Sequence, residues 1–443
     1  MRKIESVAVL GTGTMGLGIA ALCANKGIKV LFLDMPSDGD NKNAIAEAAV
    51  ERMKTIRPPA LDDLDNVKHI ETGNFEDDLH KVADYDWICE AVVEDLQIKR
   101  DFFAKVEPLR KDGSIIATNT SGIPLKDISE GMPERFRKDV AVTHFFNPVT
   151  IMKLMELVPG EETEPEVIEA LAEFCGNYLN KGVVHAKDTV NFIGNRIGCF
   201  WMLSGLHKAA AARKEGLSME TIDALMSAPV GLPNTGFYGL IDLIGLDIMD
   251  FVGKNLDVNL PANDVGLAFT KFPAAEQAML ERGQLGRKTG GGFYKMTKNE
   301  DGSKSKETFD LDAGDWRPAA EASLDETHSN LETLVFAETP EGRFAWDLMV
   351  GTLCYAADLV PEISDDIVNI DNAMRWGFGW KRGPFQMLDA IGPKRVIEKI
   401  KGEGKPLPKM LAVLDQAGAA GFYPGDGTFL GLDGTYQSLP GEE

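Results

Sequence analysis

Apolar positions in the first 190 residues follow two periods in turn. Short apolar runs at 6–10, 29–34, 87–92, 114–119, 140–146 and 152–158 have the length of buried strands. Helical spacing fills the gaps: from the Gly-rich segment at Gly11 to about Asn25, over Asn43–Thr55, and onward from Asp95. Gly27 supplies a helix C-cap. This alternation predicts an α/β domain over residues 1–187, with a doubly wound, mostly parallel sheet.

Beyond Asp188 the spacing becomes helical and strand signals fade, predicting an all-α domain over 188–296 that closes on Gly290-Gly-Gly-Phe-Tyr-Lys295. Residues 297–340 are polar and acidic and read as a linker with little core, with a hairpin turn at Asn299–Ser305. A second helical domain follows over 341–443, and its last twenty residues are Gly-rich without an obvious core. The two helical stretches resemble each other. Ile222-Asp223 lies eight residues before Gly231, and Ile370-Asp371 lies eight before Gly379. Gly236-Phe-Tyr-Gly-Leu-Ile-Asp-Leu-Ile-Gly245 then matches Gly383-Pro-Phe-Gln-Met-Leu-Asp-Ala-Ile-Gly392. Two blocks at a nearly constant offset point to a duplicated helical unit.

Composition narrows the function classes. The formal net charge is −23, which argues against nucleic acid as a partner. An anionic ligand must then be held by local donors against the overall field. The longest apolar stretch, Ile197–Leu206, is too short to span a bilayer, so no membrane insertion is expected. Five cysteines without a Cys-x-x-Cys predict neither disulfides nor a metal site and fit a reducing cytoplasm.

Two constellations carry chemistry. Gly11-Thr-Gly-Thr14-Met15-Gly16 follows a strand and opens a helix, the arrangement that cradles a dinucleotide pyrophosphate. Asp34 ends the next strand, where a carboxylate accepts from ribose hydroxyls and repels a 2′-phosphate. No Arg or Lys follows directly, so NAD is favoured over NADP. The second constellation is His144 and Glu156, on two apolar strands around an Asn-Pro turn. Glu156 shares a face with Met152, Leu154 and Val158, and a buried carboxylate needs a partner. A paired imidazole could accept a hydroxyl proton while hydride leaves the same carbon. The alternative is a packed histidine and a solvated glutamate, and the nucleotide loop upstream weighs against it. Ser121 and Asn195 are either donors to the substrate oxygen or, respectively, a turn residue and a helix cap.

Taken in order, these segments resemble the 3-hydroxyacyl-CoA dehydrogenase family. The resemblance rests on the glycine loop, Glu90-Ala-Val-Val-Glu94, Thr-Asn-Thr-Ser121, His144-Phe-Phe-Asn-Pro-Val, Lys187-Asp-Thr-x-x-Phe-x-x-Asn-Arg196 and Gly286-Arg-Lys-Thr-Gly-x-Gly-Phe-Tyr294. It implies a Rossmann domain followed by helical domains, with NAD and an acyl-CoA thioester in the cleft between them. It implies oxidation of an L-3-hydroxyacyl-CoA in fatty-acid β-oxidation, with His144 as general base, Glu156 orienting it, and Ser121 and Asn195 on the substrate oxygen. Glu94, Lys99, Asn147 and Lys288 match family cofactor or substrate contacts. Lys54 and Arg57 are candidates for the CoA phosphates, or else a solvated face. The first helical unit has Thr235-Gly-Phe-Tyr238 where many members have Gly-Pro-Phe, which leaves chain-length preference open. A second helical unit is similar to fused β-oxidation proteins. The chain is expected either as a part of such a fusion or as a stand-alone form, and as a monomer with an internal pseudo-dimer or as a homodimer. The rival readings are a dehydrogenase of a non-CoA hydroxy acid on the same scaffold, and a nucleotide-binding module without chemistry.

Overall fold

The computed structural model describes residues 2–298 and 302–440. It divides into two compact units, one reaching Ile193 with 362–364 added, the other holding 194–361 and 365 onward.

The first unit is built on eight strands: β1 (Ser6–Leu10), β2 (Lys29–Asp34), β3 (Ile70–Asn74), β4 (Trp87–Glu90), β5 (Ile115–Thr118), β6 (Val140–Phe145), β7 (Leu154–Pro159) and β8 (Gly182–His185). Their order is β3-β2-β1-β4-β5-β6-β7-β8. Pairing is parallel except between β6 and β7. The helices are α1 (Thr14–Ala24), α2 (Ala44–Thr55), α3 (Leu96–Val106), α4 (Leu125–Ser129), α5 (Glu134–Asp139) and α6 (Pro165–Glu173). Val7 to Leu10 and Val30 to Leu33 are fully buried, as strands covered on both faces must be. The strand order reverses between β1 and β4, and at such a switch point the carboxyl ends of the strands open a crevice for ligand. Strands β3 and β8 escaped the sequence reading. Ile-Glu-Thr-Gly-Asn and Gly-Val-Val-His are too short and too mixed to stand out, and both lie at sheet edges. Strand β7 starts at Leu154, two residues later than its apolar run.

The second unit contains α7 (Gly194–Lys214), α8 (Met219–Leu225), α9 (Phe237–Ile244), α10 (Leu246–Asn259) and α11 (Ala274–Glu281). A three-stranded antiparallel sheet follows: β9 (Tyr294–Lys298), β10 (Lys304–Asp310) and β11 (Asp315–Pro318). Then come α12 (Leu331–Leu334), α13 (Pro340–Ala345), α14 (Gly351–Asp358), α15 (Ile367–Gly377), α16 (Pro384–Ile391), α17 (Pro393–Gly402), α18 (Lys409–Ala417) and the hairpin β12 (Thr428–Leu430) with β13 (Tyr436–Ser438).

Two expectations need correction. The stretch 297–340 is more than a linker: β10 buries Phe309, and its Thr308 donates to Glu220 at 2.8 Å. Arg317 of β11 makes a bidentate pair with the same carboxylate. The polar composition hid strands whose buried side chains are few. The expected turn begins on residues outside those described, although β9 and β10 pair antiparallel with Lys298 opposite Lys304. The last twenty residues also carry core, since Phe429 and Leu430 are buried.

The repeat has a physical basis. A helix N-terminus leaves backbone donors unpaired, and the N-caps of α9 and α16 are glycines without a side chain to accept them. The acceptor comes instead from the preceding helix. Asp223 accepts from Tyr238 and Gly239, and Asp371 accepts from Phe385 and Gln386. A Cβ on Gly236 would lie 2.6 Å from Asp223, and one on Gly383 would lie 2.3 Å from Asp371. A second carboxylate closes each unit: Asp242 accepts from Phe293 and Tyr294, and Asp389 from Phe422 and Tyr423. The Gly-Phe-Tyr string is therefore duplicated as well. The departure at Thr235-Gly-Phe-Tyr238 is visible in the backbone: Gly236 has φ 70°, whereas Gly383, held extended before Pro384, has φ −75°.

Burial pushes the Asp371 carboxyl up to about 7, and its backbone donors offset this only in part. A group held protonated in the fold stabilises it at low pH, and that contribution is lost as pH rises from about 4 to about 7. Asp371→Asn cannot titrate. Its melting temperature should therefore fall less between pH 5 and pH 8 than that of the parent protein, as read by thermal melts. An equal fall in both would remove Asp371 from the pH dependence.

Candidate active site

The glycine loop leaves β1 and enters α1 at the switch point. Gly11 has φ 107°, and a Cβ there would lie 2.5 Å from the Ala91 carbonyl, just past β4. A Cβ on Gly16 would lie 1.8 Å from the Gly11 carbonyl. By contrast, nothing lies within 4 Å of a Cβ on Gly13, which N-caps α1 without a side-chain cap. The loop is thus tight on its protein side and open where a pyrophosphate would approach the α1 donors, beside exposed Thr14 and half-buried Met15. Asp34 ends β2 and accepts from the Thr12 backbone and hydroxyl at 2.6 and 2.5 Å through one oxygen, and from Met35 at 2.7 Å through the other. The donor set and the open Gly13 fit a dinucleotide with free ribose hydroxyls. Sequence reasoning missed Arg52, whose guanidinium donates to the Thr12 carbonyl at 3.0 Å from α2. Of the two CoA-phosphate candidates nearby, Lys54 is paired with Glu51 at 2.6 Å and Arg57 is exposed.

His144 and Glu156 face each other directly across the antiparallel β6–β7 ladder. His144 Nδ1 lies 2.6 Å from Glu156 Oε2, with His144 4% exposed and Glu156 fully buried. The other carboxylate oxygen accepts from the Ile193 backbone at 3.1 Å. That donor is delivered by Asn191 and Phe192, whose φ values of 62° and 50° are unusual for residues other than glycine. The Phe192 ring lies 5.6 Å from the imidazole and Phe146 lies 4.6 Å from it. Glu156 therefore holds the Nδ1 side, and with the ring proton on that side Nε2 would be the proton acceptor on the other edge. The β6–β7 turn contains exposed Asn147. Lys181 pins this turn by donating to the Val149 and Met152 carbonyls. The turn also packs on α1, where a Cβ on Gly18 would lie 2.7 Å from Val149. Cofactor helix and histidine hairpin are consequently one packed body.

Ser121 follows β5 and is organised by Glu94. That carboxylate accepts from Thr120 Oγ1 at 2.7 Å, the Ser121 backbone at 2.8 Å and the Gly122 backbone at 3.0 Å. Burial raises the Glu94 carboxyl, but the Lys99 ammonium and these hydrogen bonds outweigh it and hold it below the usual range. Lys99 itself is 1% exposed. Its ammonium lies 2.8 Å from Glu90 and 3.3 Å from Glu94. Thr118 donates to Glu90 at 2.6 Å. Lys99 thus serves Glu94 from beneath rather than presenting a free cation. The sequence offered no signal for the Glu90–Lys99 pair. Asn119 adds a tie by accepting from the Phe145 backbone at 2.9 Å.

The first unit thus brings together the glycine loop with Asp34, His144 with Glu156, and Ser121 with Glu94 and Lys99. In the second unit, Asn195 is the second residue of α7 and half-buried, and Lys288 is exposed and paired with Asp247 at 2.5 Å. No cluster of metal-ligating side chains occurs among the described residues, and no helix among them is long and apolar enough to cross a membrane.

Residues 6–189 match the family model described as the 3-hydroxyacyl-CoA dehydrogenase NAD-binding domain, and residues 192–296 match that family's C-terminal domain. A Bacillus subtilis protein named a probable 3-hydroxyacyl-CoA dehydrogenase is 36% identical over 95% of this chain and 55% of its own length. A Deinococcus radiodurans relative with the same name is 40% identical over 67% of this chain and 84% of that one. The solved structure of a 3-hydroxybutyryl-CoA dehydrogenase from Escherichia coli K12 matches with a TM-score of 0.68, covering 94% of this chain and 98% of that one. At 23% identity that likeness is one of fold. The chain spans about half the length of several curated relatives it matches.

Proposed function

Because this chain belongs to the 3-hydroxyacyl-CoA dehydrogenase family and its first unit is that family's NAD-binding domain, we propose that it oxidises an L-3-hydroxyacyl-CoA to the 3-oxoacyl-CoA with reduction of NAD, in fatty-acid β-oxidation. The observation that carries this reading is the 2.6 Å contact between His144 Nδ1 and the fully buried Glu156. It leaves Nε2 as the base.

In this reading Nε2 takes the proton of the substrate 3-hydroxyl as the C3 hydrogen departs with its electron pair. Glu156 is already in contact with the ring, so it can stabilise the imidazolium without reorganising. Ser121 turns its hydroxyl from the 3.4 Å contact with Glu94 to the substrate oxygen, where charge develops. Matching the family's residue gives Asn195 a second hydrogen bond to that oxygen. Bound NAD supplies the hydride acceptor. Asp34 holds the adenosine ribose, and the α1 donors hold the pyrophosphate. Glu94, Asn147 and Lys288 match the family's remaining cofactor or substrate contacts.

Steady-state turnover of acetoacetyl-CoA with NADH tests the proposal, and measurable reduction to the 3-hydroxy product is expected. Absent turnover, together with NAD-dependent oxidation of a free hydroxy acid, would transfer the site to a non-CoA substrate.

A further inference from the structure

We infer that Tyr355, contributed by the second helical unit, is a positioning residue for the dehydrogenase reaction: it clamps Arg196 and thereby sets the start of α7, where Asn195 sits. The inference rests on the proposed function, which puts the Asn195 amide on the substrate oxygen.

Asn195 is the second residue of its helix. The first turn of a helix is where intrahelical hydrogen bonds are missing and fraying begins, so a side chain there needs tertiary support to be held within a fraction of an ångström. The support reaches the adjacent residue. Arg196 is 1% exposed, an expensive place for a guanidinium without partners. Its Nε donates to the Tyr355 hydroxyl at 2.7 Å, and its Nη2 contacts Asp264. The same hydroxyl donates its own proton to Asp264 Oδ2 at 3.1 Å, so one O–H closes a three-residue ring. The Tyr355 ring is fixed in turn by stacking on Phe200 of α7, with centroids 3.9 Å apart and planes 19° apart. One turn into α7, Gly198 admits Phe378 of the second helical repeat, whose ring atoms would lie 2.2 Å from a Cβ.

The repeat shows that this clamp runs in one direction. Gly342 stands 148 residues after Gly194, at the same offset as Asp371 after Asp223. The two residues that follow it are Arg343 and Phe344 in place of Asn195 and Arg196. Arg343 is exposed and paired with Glu215 at 2.6 Å, and Phe344 is buried. In the second helical repeat the matching helix, α13, begins two residues before Gly342 and lacks the polar pair, while that repeat supplies Tyr355 to the first repeat.

Tyr355→Phe removes the hydroxyl and keeps the stack on Phe200. We expect kcat with acetoacetyl-CoA to fall about tenfold, as for a displaced donor, with NADH affinity unchanged. In an Asn195→Ala background the same change should cost nothing further, because residues acting in one chain of contacts are not additive. An unchanged kcat in Y355F, or an equal further fall in the N195A background, would overturn the inference. If N195A alone retains full kcat, the role of Asn195 falls and the inference with it, while turnover of acetoacetyl-CoA still reports on the dehydrogenase reading. Should Y355F not fold, Asp264→Asn loosens the same clamp and carries the same comparison.

Discussion

Replacing His144 with glutamine is expected to lower kcat by about a thousandfold, the middle of the range for a general base, while NADH binds as before. That loss corresponds to about 4 kcal/mol of transition-state stabilisation. Glutamine can still reach Glu156, so the hairpin should hold, but an amide cannot take the hydroxyl proton. Glu156 remains fully buried in the variant, and its second oxygen keeps the Ile193 donor. Single-turnover measurements with acetoacetyl-CoA and NADH at pH 7 separate chemistry from product release. Turnover within a few-fold of the parent would remove His144 from the mechanism.

Gly16→Ala should abolish tight NADH binding. Helix propensity alone points the other way, since alanine within a helix is worth about 1 kcal/mol over glycine. The steric term decides: the added carbon would sit 1.8 Å from the Gly11 carbonyl, and backbone cannot swing aside as a side chain can. Relieving such overpacking costs about 1–3 kcal/mol, and it moves the loop that faces the pyrophosphate. Gly13→Ala is the control. Its Cβ meets no protein atom within 4 Å, so the melting temperature should hold while NADH affinity falls, because that space is where the phosphates approach. Fluorescence titration with NADH and thermal melts read both variants. Near-parental NADH affinity in G16A would show that the loop is not the cofactor cradle.

Much of the site is legible in the amino-acid sequence, because strand period and glycine chemistry are local. The alternation Met152, Leu154, Glu156, Val158 put Glu156 on an apolar face, and the ladder register then set it opposite His144. What stayed hidden was tertiary. Lys99 matched a family contact, yet its ammonium lies between Glu90 and Glu94, and only the folded β4–α3 connection reveals that. Phe192 reads as an ordinary apolar residue, and its left-handed backbone becomes visible only in three dimensions. Edge strands β3 and β8, and the sheet after Tyr294, bury too few side chains to mark themselves by hydrophobicity. The repeat lay between these cases. Its Ile-Asp and Gly blocks were legible, but the closing Gly-Phe-Tyr string was not, because the spacing before it differs between the units.

The Arg196–Tyr355 contact joins residues 159 positions apart on a single polypeptide. A contact of this kind has a fixed effective concentration, set by the chain between its two halves rather than by how much protein is present. If the same support came from a separate subunit, it would be lost on dilution below the dissociation constant. Here dilution leaves it untouched, and the two halves are always made in equal amounts.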